Sequence, residues 1–243
     1  MHRLESKSAI VTGAGSGIGR AIALRFAAEG ASVLAFDKTG QEKATVDSAD
    51  GVMRAYNGDV TSDDDVRSAV AAAVEAFGPV TVLCNAAGIN FFGNLEDQTA
   101  DDFRHVLEVN LIGPFSFMKH VIPHMLQAGQ GSIVNISSVG SMALRPRLSL
   151  YGASKAGLNM LTKGTAIDYA ANNIRVNAIC PGVTDTAMLI GDEATKAIAA
   201  RGTPIPRVGR PEEIAAMAAL LASDEMTYAT GATFNVDGGR TAT

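Results

Sequence analysis

Short runs of β-forming apolar residues alternate with helix-period patterns along almost the whole chain, and no other feature restricts the fold so strongly. Strand-type runs fall at 9–12, 32–36, 51–56, 80–84, 132–136, 175–179 and 233–236, and helical patterns at 17–28, 63–77, 100–125, 151–171 and 211–222. This alternation is the mark of a parallel sheet covered by helices. The expected architecture is a single α/β domain, a doubly wound seven-stranded parallel sheet with helices on both faces. The 243 residues suit one such domain, no stretch has linker composition, and 47% hydrophobic residues with 25 glycines fit a large core joined by tight turns. Thr61 and Ser62 are candidate N-caps, so Asp63, Asp64 and Asp65 read as charge at the positive end of a helix rather than as a metal site. Segment 184–206 has no firm pattern apart from a possible helix at 193–201, and a segment of this kind is expected to act as a lid.

A net charge of −5 without any basic run argues against a nucleic-acid or polybasic membrane surface. Residues 1–8 carry charges where a signal peptide has an apolar core, and no run reaches transmembrane length, so a cytoplasmic location is expected. Cys84 and Cys180 each end an apolar run and read as buried, reduced thiols. His2, His105, His120 and His124 show no metal-ligand spacing, and no metal is expected.

The first chemical signal is Thr12-Gly13-Ala14-Gly15-Ser16-Gly17-Ile18-Gly19, which follows a strand and opens a helix. Glycines there permit a tight turn and let backbone N–H groups approach a pyrophosphate, whose charge a helix N-terminus favours. Asp37 ends the next strand, eighteen positions after Gly19, close to the separation of an acid that binds an adenosine ribose. A carboxylate there accepts hydrogen bonds from both ribose hydroxyls and repels a 2′-phosphate, which favours NAD over NADP. The adjacent Lys38 works slightly against that preference.

The second signal is Tyr151-Gly152-Ala153-Ser154-Lys155. On a helix, Tyr151 and Lys155 share a face, and a cation beside a phenol lowers its pKa from about 10 towards that of a usable base. Ser138, thirteen positions upstream, supplies a hydroxyl that can hold a substrate oxygen. The same spacing is common on solvated helix faces, so its meaning depends on its company.

Five separated motifs together resemble the short-chain dehydrogenase/reductase family over about residues 6–239. The glycine turn has that family's TGxxxGxG form, Asp59-Val60 resembles its adenine-contacting pair, and Asn85-Ala86-Ala87-Gly88 resembles its NNAG, with Ala86 in place of the second asparagine. Asn110, Ser138, Tyr151 and Lys155 match its catalytic tetrad, and Pro181-Gly182 with Val183 and Thr186 resembles the segment that holds the nicotinamide. The resemblance implies a Rossmann fold and NAD as cofactor, with NADP less favoured. It implies that Tyr151 transfers the proton, that Lys155 lowers its pKa and bonds the nicotinamide ribose, and that Ser138 polarises the substrate oxygen. Asn110 would hold a water that continues a relay to solvent. A homotetramer is implied, with helices around 100–125 and 151–171 packing between subunits and Ala153, Ala156 and Gly157 permitting close approach.

The substrate pocket expected from this resemblance takes in Ser138, Gly140, Met142, Leu144, Arg145, Leu148, Asn90, Phe91, Phe92 and Met188. Its apolar cast favours a secondary alcohol or ketone of moderate size. Arg145 and Arg147 read as solvated loop charges, the other reading being recognition of an anionic substrate. The expected activity is NAD(H)-linked interconversion of a secondary alcohol and a ketone. The alternatives are an NADPH-linked 3-oxoacyl-(acyl carrier protein) reductase and, in another class, a dinucleotide-binding regulator without turnover.

Overall fold

The computed structural model describes residues 2–189, 196 and 201–242. Seven parallel strands form one sheet in the order β3-β2-β1-β4-β5-β6-β7. They are β1 (Ser8–Thr12), β2 (Ser32–Asp37), β3 (Met53–Asn57), β4 (Val82–Asn85), β5 (Gly131–Ile136), β6 (Ile174–Pro181) and β7 (Thr233–Val236). Among the described residues the α-helices are α1 (Gly17–Ala28), α2 (Glu42–Asp47), α3 (Asp63–Phe77), α4 (Ala100–Leu107), α5 (Gly113–Ala128), α6 (Ser149–Tyr169) and α7 (Pro211–Ala222). The helix expected over 193–201 falls, apart from its residues 196 and 201, outside the described residues, and with it most of the expected lid.

Side-chain alternation along the strands divides the core in two. Ala9 and Val11 of β1 and Val33 and Ala35 of β2 pack with Ile22 and Phe26 of α1 and Ile214 and Ala218 of α7. Ile10, Leu34, Phe36, Leu83 and Ile133 point the other way, onto Val66 and Val70 of α3 and Phe117 and Val121 of α5. The strand order reverses direction between β1 and β4, and the crevice beyond the carboxyl ends at such a switch point is where ligands bind in open α/β sheets.

Two expectations from the sequence are corrected by local packing. The helix expected over 100–125 is broken into α4, a wide π turn at Glu108–Ile112, and α5. Pro114 has no N–H to offer the carbonyl of Asn110 four residues before it, and the Gly113 N–H goes instead to Glu108 O. Strand β3 begins at Met53 rather than at residue 51, and Gly51 sits at φ +154°, where a Cβ would lie 2.7 Å from the Ala27 carbonyl oxygen. The short α2 has no sequence signal strong enough to be read in advance. Ser62 caps α3 as expected, accepting from Asp65 N–H. Its neighbour Asp63 binds Ser116 and His120, so His120 has an acidic partner that its spacing does not reveal. Both cysteines are buried and unpaired with one another. No helix among the described residues is long and apolar enough to cross a membrane.

Candidate active site

A cleft of about 500 Å³ runs across the carboxyl ends of the strands. Gly13, Ser16, Gly17, Ile18 and Gly19 form its floor, with Asp37, Lys38, Asp59 and Val60 at one end. Ala86, Ala87, Gly88, Ser138, Tyr151, Lys155, Pro181, Gly182, Val183 and Thr186 line its middle.

The glycine turn is shaped by what surrounds it. Gly13 has φ +68°, and a Cβ there would lie 2.8 Å from Ala87 N. Thr12 Oγ1 fastens the turn to β4 by accepting from the Ala86 and Ala87 N–H groups at 3.0 and 3.1 Å. Ala86, the departure from the family motif, therefore makes a main-chain contact. Ser16 precedes α1 in extended conformation without capping it through its side chain, so the first amides of α1 face the cleft unclaimed by that hydroxyl. Asp37 is held firmly: Oδ2 accepts from Gly15 N–H at 2.9 Å, and Oδ1 accepts from Thr39 N–H and Oγ1 at 2.9 and 2.7 Å. A glycine floor that a Cβ would fill, an open helix start and a fixed carboxylate beyond it fit an adenosine-containing dinucleotide.

Asn85 is the exception among the expected cofactor residues. Its side chain lies beneath the cleft, donating to Asn135 Oδ1 at 2.9 Å, and Asn135 in turn donates to Thr162 Oγ1 at 2.9 Å. As the last residue of β4 its side chain points into the sheet layer, so it belongs to a buried polar chain that joins β4, β5 and α6.

Helix α6 brings Tyr151 and Lys155 to one face, with Lys155 Nζ 5.9 Å from the centre of the Tyr151 ring. Lys155 is 4% exposed and donates to the Ile136 carbonyl at 2.8 Å. Burial dominates both groups. It drives the Lys155 ammonium down to about 8, and it pushes the Tyr151 phenol up, against a hydrogen bond with Ser138 that works to lower it. The direction is opposite to the one the YxxxK spacing suggests, because burial is the largest influence on the phenol. Ser138 Oγ also accepts from Gly140 N–H at 3.0 Å. Asn110, fully buried in the π turn, spends its carboxamide on protein. Its Oδ1 accepts from Ile89 N–H at 2.9 Å, and its Nδ2 donates to Ile89 O at 2.8 Å and Ser154 Oγ at 3.0 Å.

Of the expected substrate-pocket residues, Asn90, Ser138, Gly140, Arg145, Leu148 and Met188 line the cleft. Phe91, Met142 and Leu144 do not: Met142 is 52% exposed, and Leu144 covers Gly152 and Gly140 from outside. Phe92, also expected in the pocket, lines the cleft, and Ile89 and Ala143 contribute wall where Phe91, Met142 and Leu144 were expected. Arg145 is half-buried in the cleft beside Arg240, and burial together with the Arg240 charge holds it below the usual guanidinium range, so it is not the solvated loop charge that its sequence context suggests. Arg147 is exposed, with φ +68°. Arg240, ninety-five positions beyond Arg145, has no sequence signal, whereas Thr39 is legible as the residue that completes an Asx-type turn after Asp37.

Comparison with known proteins gives the same grouping by an independent route. A family model described as Enoyl-(Acyl carrier protein) reductase matches residues 13–241. The 3beta-hydroxysteroid dehydrogenase 1 of Eggerthella lenta is 39% identical, over 98% of this chain and 95% of its own length. The 3-oxoacyl-[acyl-carrier-protein] reductase of Thermotoga maritima is 40% identical, over 98% of each chain. The 3-ketoacyl-(acyl-carrier-protein) reductase of Brucella melitensis, crystallised with NADH, superimposes with a TM-score of 0.93 at 34% identity, covering 98% of this chain and 99% of that one. The chain belongs to the short-chain dehydrogenase/reductase family, as an oxidoreductase of CH–OH groups that works with a nicotinamide dinucleotide.

Proposed function

We propose that the enzyme interconverts a secondary alcohol and a ketone with NAD(H) preferred over NADP(H), using Tyr151 as the proton-transfer group. The observation that carries this reading is the convergence of Ser138, Tyr151 and Lys155 on one wall of a cleft whose glycine floor and Asp37 suit a dinucleotide. The dinucleotide supplies or accepts the hydride when bound. Gly13, Gly17 and the start of α1 would hold its pyrophosphate, Asp59 and Val60 its adenine, Lys155 its nicotinamide ribose, and Val183 and Thr186 its carboxamide. Ser138 holds the substrate oxygen, and Tyr151 gives that oxygen a proton in reduction or takes one in oxidation. A phenol raised by burial is protonated at neutral pH, which suits it to ketone reduction. Lys155, lowered by burial to about 8, still carries its proton in most molecules at neutral pH. Because the Asn110 carboxamide is fully spent on Ile89 and Ser154, we read Asn110 as the clamp that fixes the Ile89 loop, and its main-chain carbonyl as the group left to hold a relay water.

Asp37 already accepts three hydrogen bonds from the protein, out of about four lone-pair directions a carboxylate offers. Repulsion of a 2′-phosphate, more than two bonds to ribose hydroxyls, then carries the preference for NAD. Lys38 bears on this less than its position suggests, since it pairs with Asp59 at 3.4 Å. Asp37→Ser is expected to raise the kcat/KM ratio of NADPH to NADH by about 10- to 100-fold, the equivalent of removing roughly 1.4–2.7 kcal/mol of repulsion. An unchanged ratio would remove Asp37 from the cofactor assignment.

An NADH absorbance assay over a panel of secondary alcohols and ketones tests the reaction itself, and absence of turnover with every one, despite cofactor binding, rejects it. Reduction of 3-oxoacyl thioesters is the second reading, favoured by the Thermotoga maritima and Brucella melitensis relatives and by the cationic substrate end formed by Arg145 and Arg240. Turnover of an acyl-carrier-linked ketone much faster than any free ketone would select it. For the assembly we propose a homotetramer, supported by exposed Phe115 on α5 and Met160 and Ile167 on α6 (47%, 66% and 79%), which light scattering would test.

A further inference from the structure

Helix α6 carries a third polar residue on the face of Tyr151 and Lys155. Asn159 stands two turns beyond Tyr151 and does not line the cleft. Its Nδ2 donates to Ser141 Oγ at 2.8 Å, and Ser141 Oγ donates to the main-chain carbonyl of Ser138 at 2.6 Å. The Ser141 N–H reaches the same carbonyl at 3.0 Å. The Ser138 side chain meanwhile accepts from Gly140 N–H, so the single turn Val139–Ser141 grips Ser138 by both its carbonyl and its hydroxyl.

The direction of this chain is fixed by proton count. A serine hydroxyl has one proton, and Ser141 spends it on Ser138 O, so it can only accept from Asn159. That orients the carboxamide with Nδ2 towards Ser141. Cys180 Sγ, 3.9 Å from Nδ2 and 4.0 Å from Oδ1, fills the space behind it without deciding its orientation. The amide is thus specified, and the loop that carries Ser138 is tied to the helix that carries Tyr151 and Lys155.

We propose that Asn159 is a positioning residue, which acts through Ser141 to hold Ser138 at hydrogen-bonding distance from Tyr151. The proposal rests on the roles given above to Ser138 and Tyr151, and concerns a residue that touches neither cofactor nor substrate. Without the tie, the Val139–Ser141 turn loses its own hydrogen bond to α6, and the polar links that remain lie before Ser138, from Ser137 Oγ to the Lys155 carbonyl at 3.2 Å and from Lys155 Nζ to the Ile136 carbonyl at 2.8 Å, which leaves Ser138 free to shift with the turn. A misplacement of the order of 1 Å in such a group costs up to about 100-fold in rate.

The test reads Tyr151 directly, as the phenolate absorbance that a Tyr151→Phe background removes, alongside NADH binding by fluorescence. Because the Ser138 hydrogen bond lowers the Tyr151 pKa, Asn159→Leu is expected to move the phenolate titration to higher pH, in the same direction as Ser138→Ala, with the Kd for NADH changed by less than about twofold. Ser141→Ala removes the middle link and should reproduce the shift, and Ser141→Thr, which keeps the hydroxyl, should restore the wild-type titration. In turnover, kcat should fall by about 10- to 100-fold with the KM for NADH preserved. A Tyr151 titration left in place by both Asn159→Leu and Ser141→Ala overturns the proposal. So does a matching loss of NADH binding, which would make Asn159 a general support of the fold. Neither optical readout depends on turnover, so a failure of the alcohol–ketone assignment leaves this test intact.

Discussion

Tyr151→Phe is expected to lower kcat by roughly 10³-fold while the Kd for NADH stays within about twofold, because general acid–base catalysis typically contributes 10²- to 10⁴-fold and the change removes one oxygen from the cleft wall. The ring remains on α6, Lys155 keeps its bond to the Ile136 carbonyl, and Ser138 keeps its bond from Gly140, so the surroundings lose only the phenolic hydroxyl. The pH profile of the wild type carries a second check. Since burial raises the phenol, reduction finds its proton donor ready at neutral pH, whereas oxidation needs the phenolate and is expected to accelerate as pH rises. That opposition between the two directions should vanish in the residual activity of the Phe variant. Turnover that survives the substitution would refute the proton-transfer role, and a parallel loss of cofactor binding would assign Tyr151 to binding instead.

The sequence reveals the sheet because seven apolar runs of strand length alternate with helical periods, and all seven occur as strands. It reveals the glycine floor because Gly13 must adopt φ +68° against Ala87, a requirement that composition at one position records. What it conceals is set by contacts between distant residues. The break at Asn110 depends on Pro114 and on the seating of Gly113 against Val60, where a Cβ would lie 3.0 Å from the Val60 Cβ, and helical periodicity passes straight through both. Asn85 sits in a motif associated with cofactor binding, yet the two-residue period of β4 turns its side chain to Asn135. Arg145 looks like a loop charge until the C-terminal Arg240 is brought beside it. The spacing of Tyr151 and Lys155 likewise gives their proximity but not their dielectric surroundings. For that reason the direction of the Tyr151 shift could not be read from it.

The same burial makes Lys155 costly to the fold, and Lys155→Met is expected to lose turnover while gaining stability. The ammonium falls from its ordinary 10.5 to about 8, a difference of roughly 2.5 pKa steps, or about 3 kcal/mol between its charged and neutral forms. The sign follows from proton uptake: the unfolded chain holds this proton more tightly than the folded one, so the Lys155 contribution to wild-type stability rises with pH between about 8 and 10.5. Below that window the folded protein bears the full cost, and above it both states are neutral and the cost disappears. Methionine fills a similar volume without charge, but it forfeits the bond to the Ile136 carbonyl, at about 1–2 kcal/mol. The net gain at neutral pH is then about 1–2 kcal/mol, or roughly 2–8 °C in Tm for a chain of this size. Calorimetry at pH 7 and near pH 10.5 separates the contributions, since the advantage of the variant should shrink towards zero or reverse at the higher pH. A variant less stable than wild type at pH 7, or an advantage independent of pH, would contradict the desolvation account. An inactive variant that is also more stable would locate the cost of function in a single buried charge held beside Tyr151.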